Sequence, residues 1–314
     1  MGLLRSRSML RGSRRTDFSP RGTSVPLRRA ESPPQAMSLP HILAIALIVA
    51  LPVMAGSLAP ELFAFDNGTG RDQKLPAARQ AAILKSAGYA GMGIYTGTQR
   101  IPEALAALDH EHLRLLSIYV HSFADDTGPR IDPGLPAAIE QLAGRETMIM
   151  LTVQGHGKDA EERALANVRE VADMAAKSGL RVCLYPHIGF YIETTPDALR
   201  VIRKAGRSNV GAALNLYHTV MFHSTRCGDD HLDLRQLVAQ SLPYLLMVSI
   251  NGIDGSTILP LGEGDYDVAR FLSVLNDAGY RGPVSLQSYQ VKGDLEQNLA
   301  RSLTAWRAML AKLR

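Results

Sequence analysis

Eleven side chains in this sequence can move a proton or grip a hydroxyl group, and most of them fall where a short apolar run ends. They are Asp66, His121, His156, Tyr185, His187, Glu193, Asn215, His218, Ser249, Asn251 and Gln287. The set is rich in imidazole and amide and poor in carboxylate. Imidazole takes or gives a proton near neutral pH. Amides donate and accept hydrogen bonds at once, and tyrosine adds a ring face and a hydroxyl. Such a group suits a polyol, and the reaction it suggests is proton abstraction next to a carbonyl. That reaction needs a base, an acid and donors for the enediolate oxygen. His187 and His218 are the expected acid and base, with Glu193 as a further catalytic candidate. Asn215, Asn251 and Gln287 are the expected oxyanion donors. Tyr185, Ser249, His121, His156 and Asp66 are expected to line the substrate.

Each residue also has a plainer role open to it. Asn215 and Asn251 can satisfy loop backbone, as Asn does in turns. His187 can cap backbone carbonyls, Tyr185 can pack inside a core, and Glu193 can cap the helix expected near Thr195.

The elements that would position these groups alternate along the chain. Apolar runs at 61–66, 91–95, 114–121, 147–154, 181–187, 210–215, 245–251 and 284–287 read as strands covered on both faces. Between and after them lie helical stretches at 75–87, 102–108, 135–142, 160–178, 195–205, 232–242, 267–278 and 295–313. Val268, Phe271, Leu272 and Leu275 form one apolar stripe. Gly88, Gly179 and Gly279 stand where helices should close. Eight such units in about 250 residues predict one (β/α)8 TIM barrel, of class α/β, over 61–314, with chemistry at the carboxyl ends of its strands. The doubly wound alternative lacks a Gly-x-Gly-x-x-Gly after the first strand.

Four segments, 179–187, 209–218, 247–254 and 260–287, carry a more specific signal. The last runs from Pro260-Leu-Gly-Glu-Gly-Asp-Tyr-Asp267 to Gly279-Tyr-Arg-Gly-Pro-Val-Ser-Leu-Gln287. It resembles the final repeat of the xylose-isomerase-like TIM barrels, which include sugar isomerases, epimerases and endonuclease IV. The resemblance implies the fold and a divalent metal. In that family the metal is held by a Glu ending the fifth strand, the Asp of an Asp-x-x-His in the sixth, a His in the seventh and a Glu ending the eighth. Here those places read Tyr185, Asn215, Ser249 and Gln287, and only His218 of the polar pattern is kept. Neutral amides are weak ligands for a hard cation. No cofactor is therefore expected; a metal would need a site rebuilt from His187, His218 and Glu193. The resemblance implies a sugar isomerase/epimerase-like enzyme acting on a small-molecule carbohydrate. The alternatives are a keto-sugar lyase or hydrolase, and a barrel that binds carbohydrate without catalysis.

Charge separates the chain into two parts. Residues 1–36 hold eight Arg against Asp17 and Glu31, so of the total of +4 they contribute +6 and the remainder carries −2. The expected fold thus lacks the basic excess of a nucleic-acid binder. Residues 1–36 read as a disordered basic leader, or as untranslated sequence if Met37 is the start. Residues 37–59 read as a signal peptide, with a membrane anchor as the alternative, so export is expected. Arg14-Arg15 lies too far upstream to make a good twin-arginine signal. Contact with a membrane is expected only if that segment stays uncleaved. Cys183 and Cys227 read as two spare thiols.

Overall fold

The computed structural model describes Leu58 and residues 61–95, 97–227 and 232–313. The leader over 1–36 and, apart from Leu58, the signal-like segment over 37–59 lie outside the described residues. Leu58 itself is buried, and its backbone N–H donates to Asn276 Oδ1 at 3.2 Å. Among the described residues no helix is long and apolar enough to cross a membrane.

Eight parallel strands close a barrel. They are β1 (Leu62–Phe65), β2 (Gly91–Ile94), β3 (Arg114–Phe123), β4 (Met148–Gln154), β5 (Arg181–Leu184), β6 (Val210–Asn215) and β7 (Leu245–Ile250). A small antiparallel hairpin follows, β8 (Gly252–Asp254) with β9 (Thr257–Leu259), and then the last barrel strand, β10 (Val284–Leu286). Barrel neighbours follow chain order and β10 returns to pair with β1. Around the barrel run α1 (Ala77–Ala87), α2 (Ile101–His110), α3 (Leu135–Gln141), α4 (Ala160–Lys177), α5 (Thr195–Ala205), α6 (Leu216–Phe222), α7 (Leu234–Ser241), α8 (Val268–Asp277) and α9 (Leu295–Lys312).

Alternation along each strand makes two cores. Phe63 and Phe65 face the barrel interior with Tyr119, Met148, Met150, Cys183, Tyr185 and Met247. Leu62 and Ala64 face the helices. The interior is therefore packed and serves as the floor of the mouth, as such barrels require. Cys183 is a free thiol inside it. The α8 stripe lies fully against the strands, with Phe271, Leu272 and Leu275 each at 0% exposure. Asp267 opens that helix by accepting from Arg270 N at 3.0 Å, and Gly279 (φ 82°) follows it in the left-handed conformation.

The chain departs from the sequence expectation in three places. After β6 it turns at once into α6, a helix the sequence reading passed over, which runs on as a π-turn over His223–Cys227. Residues 228–231 of the loop after it lie outside the described residues. The β8–β9 hairpin was also unforeseen, although Asp254-Gly255 announces it: Gly255 (φ 52°) and Ser256 form a two-residue turn. β3 runs two residues past His121, so that His121 sits within the strand.

Close approach fixes one glycine in β6. A Cβ at Gly211 would lie 2.4 Å from the Tyr244 carbonyl oxygen, whereas one at Gly157 meets nothing within 4 Å. Gly211→Ala should therefore cost about 1–3 kcal/mol in urea unfolding, while Gly157→Ala should stay within about 0.5 kcal/mol. Equal effects of the two would show that the β6–β7 packing is misplaced.

Candidate functional site

The carboxyl ends of β5, β6 and β10 bring three side chains into direct contact. Asn215 ends β6 and is the N-cap of α6: its Oδ1 accepts from the His218 backbone N–H at 3.0 Å. A backbone N–H can only donate, so the oxygen of this amide is fixed and its NH2 faces the barrel axis. That NH2 donates to Gln287 Oε1 at 2.6 Å and to the Tyr185 hydroxyl. Tyr185 in turn reaches Gln287 Oε1 at 3.5 Å and receives the Tyr95 hydroxyl at 3.3 Å. Asn215, Tyr185 and Gln287 are all buried. Burial pushes the Tyr185 phenol up to about 12, so it stays a neutral donor. Ser249 pairs in register beside Asn215 on β7 and is buried beside the Tyr185 phenol. We call this group the cage. Its floor is aromatic: Tyr95 stacks on Tyr119 with centroids 4.2 Å apart, and both stand edge-on to Tyr185.

Two imidazoles stand beside the cage. His187 and His218 have ring centroids 4.0 Å apart, and His187 also stacks on Phe190 at 4.1 Å. His187 Nδ1 lies 2.8 Å from the Ile188 carbonyl oxygen. A carbonyl can only accept, so Nδ1 carries the proton and Nε2 keeps its lone pair. Burial lowers the His187 pKa, and neighbouring His121 adds to that. His218 is 5% exposed, and neither ring nitrogen has a partner. Burial, then the nearness of His187, lowers its pKa to about 3. Both rings are therefore neutral near pH 7.

Asp66 closes the opposite side of the rim. It directly follows β1, is fully buried, accepts from Tyr95 N at 3.0 Å, and has Arg71 and Arg100 at 3.4 Å each. Desolvation outweighs both cations and raises its pKa to about 6. The other expected residues take more local positions. His121 Nδ1 meets Thr152 Oγ1 at 2.8 Å and Gln154 Nε2 at 2.7 Å. Asn251 donates to the Gly252 carbonyl at 2.8 Å, a loop-backbone role, while its Oδ1 stays buried and unpartnered. His156 is exposed, with Nε2 3.3 Å from Gly189 O. The Glu193 carboxylate accepts from Gly189 N at 2.8 Å and faces Arg226 at 3.6 Å. Sequence reasoning passed over Tyr119, Phe190, Arg71 and Arg100. Tyr119 was findable, two residues before His121 on the same face; the arginines come from distant loops and carry no sequence signal.

Comparison with known proteins agrees with this architecture. Residues 81–309 match the family described as Xylose isomerase-like TIM barrel. A 3-dehydroshikimate dehydratase of Pseudomonas aeruginosa is 27% identical over 127 residues, 39% of this chain. The match covers only 20% of that protein's length. The 3-keto-D-glucoside 4-epimerase of E. coli superposes with a TM-score of 0.60 at 18% identity, over 74% of this chain and 94% of its own. A D-allulose 3-epimerase from Methylomonas sp., in complex with D-allulose, gives 0.63 at 18% identity, over 79% and 98%.

The buried imidazole has a consequence for stability. His218 is neutral when folded, so as pH falls below 6.5 the unfolded chain takes up its proton first. Stability should therefore drop between pH 6.5 and 4, by about 3 kcal/mol from this ring. His218→Leu should flatten that part of the profile in urea titrations at pH 4, 5, 6 and 7. Parallel profiles would mean that the ring is not desolvated.

Proposed function

Since the chain belongs to the Xylose isomerase-like TIM barrel family, we propose that it acts on a carbohydrate by removing a proton next to a carbonyl, as an isomerase or epimerase, without the family's metal. The observation that carries this reading is the His187 tautomer. With Nδ1–H held by Ile188 O, Nε2 is a fixed, neutral proton acceptor beside a ring of uncharged donors. His187 removes the proton and returns it. Asn215 and Tyr185 spend their protons on Gln287 Oε1 and on each other and so orient that amide, which leaves the Gln287 NH2 as the neutral donor that can stabilise the enediolate oxygen. His218 packs against His187 and keeps it from tilting.

Donor chemistry supports a reaction without a divalent ion at the family's site. Asn215 turns its NH2 inward, and an amide nitrogen with both protons is no ligand. Gln287 Oε1 is already an acceptor for that amide. The Tyr185 phenol stays protonated. A hard cation wants anionic oxygen or imidazole. Nor does Glu193 complete a rebuilt site with His187 and His218, because its carboxylate is turned to Gly189 N and Arg226.

The likeness to a dehydratase favours a second outcome of the same first step: the carbanion formed by His187 expels a β-substituent. Incubation with ketoses in deuterated water separates the readings. Deuterium gain next to the carbonyl with a new epimer or aldose supports isomerisation, and loss of water or an alcohol supports elimination. His187→Gln should lower either rate about 10²–10⁴-fold while the protein stays folded. Sugar bound without exchange would mark a barrel that only binds. Elemental analysis of protein purified without chelator should find no stoichiometric divalent metal; finding one would sink the metal-free mechanism. Export stays part of the proposal, and N-terminal sequencing of the secreted protein should find that the segment over 37–59 has been cleaved.

A further inference from the structure

Beside the barrel mouth lies a cleft of about 390 Å³, between the start of α5 and the α6 segment. That volume is within the range of small-molecule sites. Pro186, Pro196, Phe222 and Leu237 give it apolar walls. Thr195 and His218 also line it, and these two are the informative residues. Thr195 is 2% exposed and its hydroxyl has no partner, while His218 is 5% exposed with neither ring nitrogen paired. A buried polar group left unpaired costs about 1–3 kcal/mol, so a fold tends to keep such a pair where something else satisfies it. A hydroxyl and a neutral imidazole each both donate and accept. What satisfies them must do the same, which describes ligand hydroxyl groups.

Charge decides against an anion. The N-terminus of α5 opens on this cleft, and a helix start attracts phosphate. Here it is already closed by the chain itself: Asp197 N donates to Thr194 Oγ1 at 3.2 Å, and Asp197 Oδ2 accepts from Thr194 N at 3.0 Å and Thr194 Oγ1 at 2.7 Å. Asp197 and Glu193 are among the residues that line the cleft, and none of its described lining residues is Lys or Arg, so it offers a phosphate no cation. Apolar walls suit the C–H face of a sugar ring. The cleft is also next to the cage: His218 is its wall, 4.0 Å from His187 and 6.0 Å from the Tyr185 ring, centroid to centroid.

We propose that this cleft is the subsite for a second, uncharged sugar unit, so that the substrate is an unphosphorylated ketose or keto-sugar carrying a glycosidic substituent. This rests on the reading of the mouth as a sugar site. The cage and His187 act on the unit that bears the carbonyl, and the substituent lies along Phe222 with its hydroxyls on Thr195 and His218.

Calorimetric titration of the full chain tests it, with D-fructose, D-tagatose and D-allulose against lactulose, turanose and isomaltulose, and with D-fructose 6-phosphate. At least one disaccharide should bind about 10-fold or more tighter than any of the free ketoses. Thr195→Val should cut that advantage about 5-fold, the worth of one hydrogen bond, and Phe222→Ala should cut it at least as far. Both should leave monosaccharide binding within about 2-fold, a change too small to register as a lost contact. Thr195→Val should also leave the melting temperature unchanged or higher, because the hydroxyl has no partner to lose. Disaccharides that bind no tighter than the ketoses, or D-fructose 6-phosphate binding tighter than all of them, would overturn the subsite and leave the mouth's reading standing. If none of these sugars binds, both fall together.

Discussion

One hydrogen bond sets the character of this site: Asn215 Oδ1 accepting from the His218 backbone N–H. It begins α6 and, in the same stroke, fixes which way the amide faces. With its oxygen committed to the helix, Asn215 turns two N–H groups toward the axis, where Gln287 and Tyr185 receive them. The place where the family's resemblance implies an anionic ligand is thereby a donor. The bond also places His218, three residues on, under His187. A change at Asn215 would reach the helix start, the cage and the imidazole pair together.

Neutrality is the second theme, and burial produces it. His218 and His187 are held unprotonated chiefly by desolvation, and Tyr185 is held protonated by the same cause. Even Asp66, with two guanidinium groups at 3.4 Å, has its pKa raised to about 6 because no surface of it reaches water. On the proposed reading, such a site would stabilise developing charge with oriented dipoles. It would do so in a dry setting, where each dipole counts for more than it would in water. The aromatic floor of Tyr95 and Tyr119 keeps water from below.

Much of this was legible in the residues. The eight strands fell where apolar runs ended in polar side chains, because strands covered on both faces must be continuous apolar runs. The α8 stripe and its closing glycine read correctly because helix period and left-handed glycine are local properties. His187, Asn215 and Gln287 were identifiable as rim residues for the same reason: barrel topology puts every strand end on one face. The plainer roles weighed for Asn215 and Asn251 also appear, and at Asn215 the plain role fixes the geometry on which the proposed one depends. The hairpin after β7 went unread although Asp254-Gly255 marks it, since a Gly-Asp-rich stretch reads equally as open loop.

The sequence by itself determined the barrel, the family resemblance and the neutral side chains at the places where that resemblance implies anionic ligands, because all three reside in residue identity and spacing. Tertiary structure alone decided which amide atom faces inward, which His187 nitrogen keeps its lone pair, and that Thr195 and His218 share one cleft. Those outcomes depend on backbone donors and acceptors brought from separate elements, and on how much water each side chain loses. No spacing along a single chain encodes either.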